Sequence, residues 1–173
     1  MVMSAGVLLF GSNVHASASA EGLTAQGVTP VLIHIPKFNL SVTVESCSLK
    51  KDGSLELPES GDVAGWFTNS SKPGASGNAV IAGHVDDFTG PAAFFPLKNL
   101  VAGDEIIVES ADSQTLVFQV TDLKAYPREN APIQQIFGYS SKPRLNLITC
   151  HGLFNRDLKT HEERLVIFTD LKG

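Results

Sequence analysis

The run Leu145-Asn146-Leu147-Ile148-Thr149-Cys150 constrains this chain most, because apolar residues recur there at the two-residue period of a strand and the run ends on a cysteine. Similar short runs recur along the chain, at 30–35, 40–44, 54–58, 105–108, 115–120 and 165–168. Turn-forming stretches such as Lys51-Asp52-Gly53-Ser54 and Val101-Ala102-Gly103-Asp104 separate them. Fifteen Gly and nine Pro, spread along 173 residues, suit many short strands joined by turns. Sustained helical periodicity is scarce. Only 131–137 reads as about two helical turns, with Pro132 near the start, where a missing N–H is tolerated. Pro91 and Pro96 limit the aromatic stretch 86–100 to a short helix or turn lying over the strands. The expected class is mainly β, a barrel or sandwich with short helices, in one domain.

Charge narrows the function. Thirteen Lys and Arg against eighteen Asp and Glu leave −5 at pH 7, too little basic character for nucleic acid to be the main partner. The N-terminus has an apolar run, Ala5-Gly6-Val7-Leu8-Leu9-Phe10-Gly11, and then small residues, Ala16-Ser17-Ala18-Ser19-Ala20, of the kind a signal peptidase cleaves. The run falls well short of the ~20 residues that span a bilayer. No Lys or Arg precedes it. Residues 1–27 are therefore read as the remnant of a signal or anchor, or as a disordered leader, and 28–173 as the folded domain.

Three chemistry-bearing residues stand beside strands. Cys150 closes one run, His84 follows Asn78-Ala79-Val80-Ile81-Ala82-Gly83, and Arg164 precedes Leu165-Val166-Ile167-Phe168, with a loop expected over 151–163. A thiol, a proton carrier and a fixed cation are the parts of a thiol-nucleophile site. Cys150 is the candidate nucleophile; a free thiol with a pKa of about 8.5 is mostly protonated at neutral pH, so a nearby cation matters. His84 is the candidate general acid for an amine leaving group. Its rival is His151, which as a neighbour of Cys150 on a strand points to the opposite face unless the strand ends at Cys150. Arg164 is the candidate oxyanion stabiliser, with a surface ion pair to Glu162 or Glu163 as its bland alternative and Arg156 as its rival. Cys47 reads as a small buried apolar residue.

The segment Leu147-Ile148-Thr149-Cys150, with Ala82-Gly83-His84 before it and Arg164 after it, resembles the signature of the sortases, the bacterial surface transpeptidases, over about 33–171. The resemblance implies a closed β-barrel of about eight strands, with His84, Cys150 and Arg164 catalytic. It also implies cleavage of a Leu-Pro-x-Thr-Gly-like sorting signal through a thioester, then transfer to an amine of a cell wall precursor or of another surface protein such as a pilin. It further implies action as a monomer, no metal or organic cofactor, and a place on the outer face of the membrane behind an N-terminal anchor. Ala82, Ile148, Thr149 and Val166 are the candidate substrate-binding residues, and 126–144 the candidate wall that reads the signal. The compact form and the Ala82-Gly83-His84-Val85-Asp86 context resemble class F or class E most, with class D behind. Three other readings remain open at this level. They are a cysteine peptidase that hydrolyses without transfer, a non-catalytic β-barrel surface module, and a zinc site of His84, Cys150 and His151, which lacks any paired ligand spacing.

Overall fold

Alternation along the strands is what closes the sheet. The structure, a computed structural model, describes residues 26–173; the leader expected at 1–27 therefore lies almost wholly outside the described residues. Ten strands form: β1 (Pro30–Ile35), β2 (Leu40–Cys47), β3 (Val63–Phe67), β4 (Gly77–Ala82), β5 (Asp86–Asp87), β6 (Gly90–Pro91), β7 (Glu105–Ser110), β8 (Thr115–Pro127), β9 (Pro143–Asn155) and β10 (Thr160–Leu171). Eight of them close a barrel in the order β1-β2-β3-β4-β9-β10-β8-β7, while β5 and β6 pair separately. The β2/β3 and β4/β9 pairs are parallel, and the other barrel pairs are antiparallel. The expected mainly β class and closed barrel are what the chain forms.

Residues on one side of each strand fill the barrel. Ile33, Ile35, Ala79, Ile81, Ile106, Val108, Phe118, Leu145, Leu147 and Ile167 belong to one buried cluster and are completely inaccessible. Each such Leu, Ile or Phe contributes roughly 1.5–3 kcal/mol by leaving water. The aromatic stretch after β4 closes on this core: Phe94 and Leu97 are fully buried, and residues Phe95–Asn99 make a 3-10 turn. Gly83 makes that possible, since a Cβ there would come within 2.8 Å of the Phe94 ring.

The alternate residues of β4, β9 and β10 build a second apolar cluster on the outer face. Val80, Ala82, Ile148, Val166 and Phe168 join Cys47 and Phe67 there. Helix α1 (Ile133–Phe137) lies over it, with Ile136 buried beneath. Two buried asparagines fix the helix: Asn146 donates to the Ile136 carbonyl at 2.8 Å and Asn78 to that of Gly138 at 2.7 Å. Leu55 and Leu57, from the β2–β3 connection, pack on the same cluster.

Two local expectations change. The segment 54–58, which reads as a short strand, makes only an isolated bridge between Leu49 and Leu55. The stretch after Cys150 is not a loop. Strand β9 runs on to Asn155 and β10 begins at Thr160, so the two make a long hairpin. Among the described residues no helix is long and apolar enough to cross a membrane.

Candidate active site

Register places two of the three candidate residues side by side. In the antiparallel β9/β10 ladder, Arg164 is the direct partner of Cys150. Directly opposed residues put their side chains on the same face, and that face is the outer one, shared with Ile148 and Val166. On the other side of β9, the parallel ladder pairs Ala82 with Ile148. The Gly83 N–H continues it by donating to the Ile148 carbonyl at 3.0 Å, and the Thr149 hydroxyl donates to the Gly83 carbonyl at 2.8 Å. Extending that register past Gly83 sets the backbone of His84 level with Cys150. Cys150 and Arg164 thus make a row across β9 and β10, and by that extension His84, two residues past the end of β4, stands at its other end.

A cavity of about 590 Å³ opens beside this row. Cys150 and Arg164 line it, as do Ala82, Ile148, Thr149 and Val166; His84 is outside its lining, one residue beyond Gly83, which is inside. Thr149 is buried with its hydroxyl turned to Gly83, so it borders the cavity by its main chain more than by its polar atom. Two covering segments supply the remaining walls. One is the β2–β3 connection, through Leu49, Leu55 and Leu57; the other runs from Arg128 to Phe137 and includes α1. The first wall escapes sequence reading, because Leu55 and Leu57 look like half of an ordinary alternating strand.

Each side chain of the row is held. The Arg164 guanidinium donates from Nη1 to the carbonyls of His161 at 2.9 Å and Glu163 at 2.8 Å, and from Nη2 to the Thr160 hydroxyl at 3.0 Å. Arginine has five N–H donors, so Nε–H and one Nη2–H stay free to meet a ligand. The alternative ion pair with Glu162 or Glu163 does not form: Arg164 takes the main-chain oxygen of Glu163 and not its carboxylate. Its rival Arg156 is exposed in the hairpin turn, outside the cavity lining. His84 Nε2 lies 2.9 Å from the Pro58 carbonyl. A carbonyl only accepts, so Nε2 carries the hydrogen and Nδ1 is the ring's other face. His151 pairs with Glu163, its ladder neighbour, at 4.0 Å. Because β9 continues past Cys150, His151 does point away from the Cys150 face.

The thiol sits in a mixed field. Burial pushes the Cys150 pKa up, Arg164 draws it down, and Asp86 pushes it up again, with a net rise. Cys150 therefore rests as the protonated thiol. Cys47 is also a free thiol, buried in the outer cluster and raised by burial, with Glu56 adding to the rise. No three His, Cys, Asp or Glu side chains gather as a metal site among the described residues.

Comparison with known proteins bears on this arrangement. A family model described as Sortase domain matches residues 33–172. Comparison with curated proteins gives no match. Among solved structures, sortase C-1 from Actinomyces oris is 24% identical and superposes with a TM-score of 0.64, over 84% of this chain and 74% of that one. Sortase C1 of Streptococcus agalactiae is 19% identical, with a TM-score of 0.64 over 82% of this chain and 66% of that one. Sortase A from Corynebacterium diphtheriae is 17% identical, with a TM-score of 0.64 over 84% of this chain and 62% of that one. These likenesses establish a shared fold, and the chain spans somewhat less than two-thirds of the length of the last two.

Proposed function

This chain belongs to the sortase family, and from that premise we propose that residues 28–173 form a cysteine transpeptidase domain acting through Cys150, His84 and Arg164. The observation that carries the reading is the direct pairing of Cys150 with Arg164 beside an apolar cavity, with His84 two residues past the end of β4. The Cys150 thiol passes its proton to Nδ1 of His84 as its sulfur attacks the carbonyl of the Thr in a Leu-Pro-x-Thr-Gly-like signal. The two free donors of Arg164 meet the oxyanion that forms; such preorganised donors act strongly where water is excluded. The C–N bond breaks as a proton passes from His84 to the departing Gly amine. A thioester remains. An acceptor amine then attacks it and gives a proton to His84, which passes it to the departing sulfur and restores the thiol.

The cavity suits the apolar start of such a signal. Ala82, Ile148 and Val166 form its floor, Leu55, Leu57 and Phe137 its sides, and Thr149 anchors β9 to β4 beneath it. No group in this scheme calls for a metal or organic cofactor. The acylated partner is a surface protein with a C-terminal sorting signal. The acceptor is an amine of a cell wall precursor or of a pilin. The enzyme works as a monomer on the outer face of the membrane, behind an N-terminal anchor. The Ala82–Asp86 context supports class F or E ahead of class D. Rests of the thiol in the protonated state imply slow turnover, because only a minor fraction carries thiolate at neutral pH.

The test is a kinetic partition. The protein is incubated with the signal peptide and increasing glycine-based amine, and hydrolysed and ligated products are quantified. Ligated product that rises with amine at the expense of acid supports transfer. Acid alone at every amine concentration would identify a hydrolytic peptidase.

A further inference from the structure

Outside the row, one histidine joins its two ends. His161 on β10 has a side chain only 13% exposed. Its Nε2 lies 3.1 and 3.2 Å from the two oxygens of Asp86, and its Nδ1 lies 3.0 Å from the Gly152 carbonyl. Both partners only accept, so both bonds form together when the ring carries two hydrogens. The Phe154 ring meets the imidazole edge-on at 5.3 Å between centroids.

The backbone is shaped for this contact. Between the pairs His161↔Phe154 and Glu163↔His151, the ladder register shifts, with an extra residue on β9. Gly152 lies in that bulge at φ +74°, and a Cβ there would come within 2.9 Å of the Glu163 carboxylate. Bulges re-aim neighbouring side chains and concentrate beside active sites. This one presents the Gly152 carbonyl to His161. The main chain of His161 also matters, since its carbonyl accepts from Arg164 at 2.9 Å. Asp86, at the other end of the contact, opens β5 just after His84 and belongs to the charge field at Cys150. Asp86 is the charged group in contact with the imidazole, and Arg164 bonds the His161 main chain.

We propose that His161 and Asp86 are positioning residues, a strap that ties the His84-bearing turn to the strand carrying Arg164 and so holds the two flanks of Cys150 in place. The proposal rests on the active-site reading above, and nothing in that reading requires it. The contact lies past the last β4/β9 ladder pair, Ala82↔Ile148, and joins the chain after β4 to the β9–β10 hairpin. Small misplacement of catalytic groups is costly in rate, so losing the strap lowers turnover while leaving the barrel intact.

The experiment compares His161→Ala, Asp86→Asn and the exchanged pair Asp86→His/His161→Asp with the parent protein. Three readouts are taken: kcat and KM for the signal peptide, hydrogen exchange of 85–90, and the pH profile of Cys150 alkylation. Each single variant is expected to lower kcat about 10- to 100-fold with little change in KM. Each speeds exchange in 85–90 while the barrel strands keep theirs, and the exchanged pair restores both. Asp86→Asn also moves the alkylation midpoint to lower pH, because it removes a charge that raises the thiol pKa. Unchanged exchange and kcat in His161→Ala would overturn the strap, and so would an exchanged pair worse than either single variant. If no peptide turns over in the parent protein, the transpeptidase reading fails separately; exchange and alkylation need no substrate and still decide the strap.

Discussion

The same three strands, β4, β9 and β10, carry two apolar faces that are closed in different ways. The inward face is sealed by other strands and by Phe94, and Leu145, Leu147, Ile81 and Ile167 are wholly inaccessible there. The outward face is covered by α1 and by the nearly strandless β2–β3 connection, and the cover leaves a cavity of about 590 Å³. Neighbouring residues of one strand thus do different work. Leu147 and Thr149 hold the barrel together, while Ile148 and Cys150 face the space where a ligand fits. A stable scaffold and an open site coexist because the two-residue period of a strand assigns them to opposite sides.

Substitutions can break this contrast in order of size. Cys150→Ala is expected to remove all covalent chemistry while changing stability by less than about 1 kcal/mol, since it removes one atom from a partly buried side chain at the cavity edge; peptide turnover and chemical denaturation read the two effects. Arg164→Ala removes the cation and the free donors, and is expected to lower kcat about 10²- to 10³-fold. It also moves the Cys150 alkylation midpoint to higher pH, because Arg164 is the group that draws the raised thiol pKa down. Loss of rate without that upward shift would mean that Arg164 acts only through substrate.

The two faces are compared directly by truncating adjacent residues. Leu147→Ala is expected to cost about 2–5 kcal/mol in denaturant unfolding, the range for a sealed core position. Ile148→Ala, 9% exposed beside the cavity, is expected at or below about 2 kcal/mol, the low end of that range, while raising KM for the peptide. Equal stability costs would erase the distinction drawn between the faces. The smallest effect belongs to Ile133, which lines the cavity but is 58% exposed. Ile133→Ser should leave stability within about 0.5 kcal/mol and shift KM alone.

The sequence is legible where burial imposes a pattern. Leu145, Leu147, Leu165 and Ile167 alternate because one side of each strand must be dry, and that alternation announces both β9 and β10. The pattern fades past Cys150, where Gly152, Leu153 and Phe154 sit exposed on a projecting hairpin. The strand end is misread there for that reason. Arg164 consequently looks like a residue at the start of a strand, when it stands mid-ladder opposite Cys150. The β2–β3 wall is illegible for another reason: Leu55 and Leu57 gain their place from packing on the outer cluster, with one bridge to guide them. The pairing of His161 with Asp86 spans 75 residues of chain, and both residue types are ordinarily solvated, so only the folded register brings them together.

The most direct test of the central claim is intact-protein mass spectrometry after mixing with a Leu-Pro-x-Thr-Gly peptide, followed by mapping of the modified residue. The account predicts an acyl adduct on Cys150 alone, adding the mass of the peptide through its Thr less one water, discharged when a glycine-based amine is added and absent in Cys150→Ala. A thiol that takes up a small alkylating reagent but forms no adduct with any such signal would contradict it.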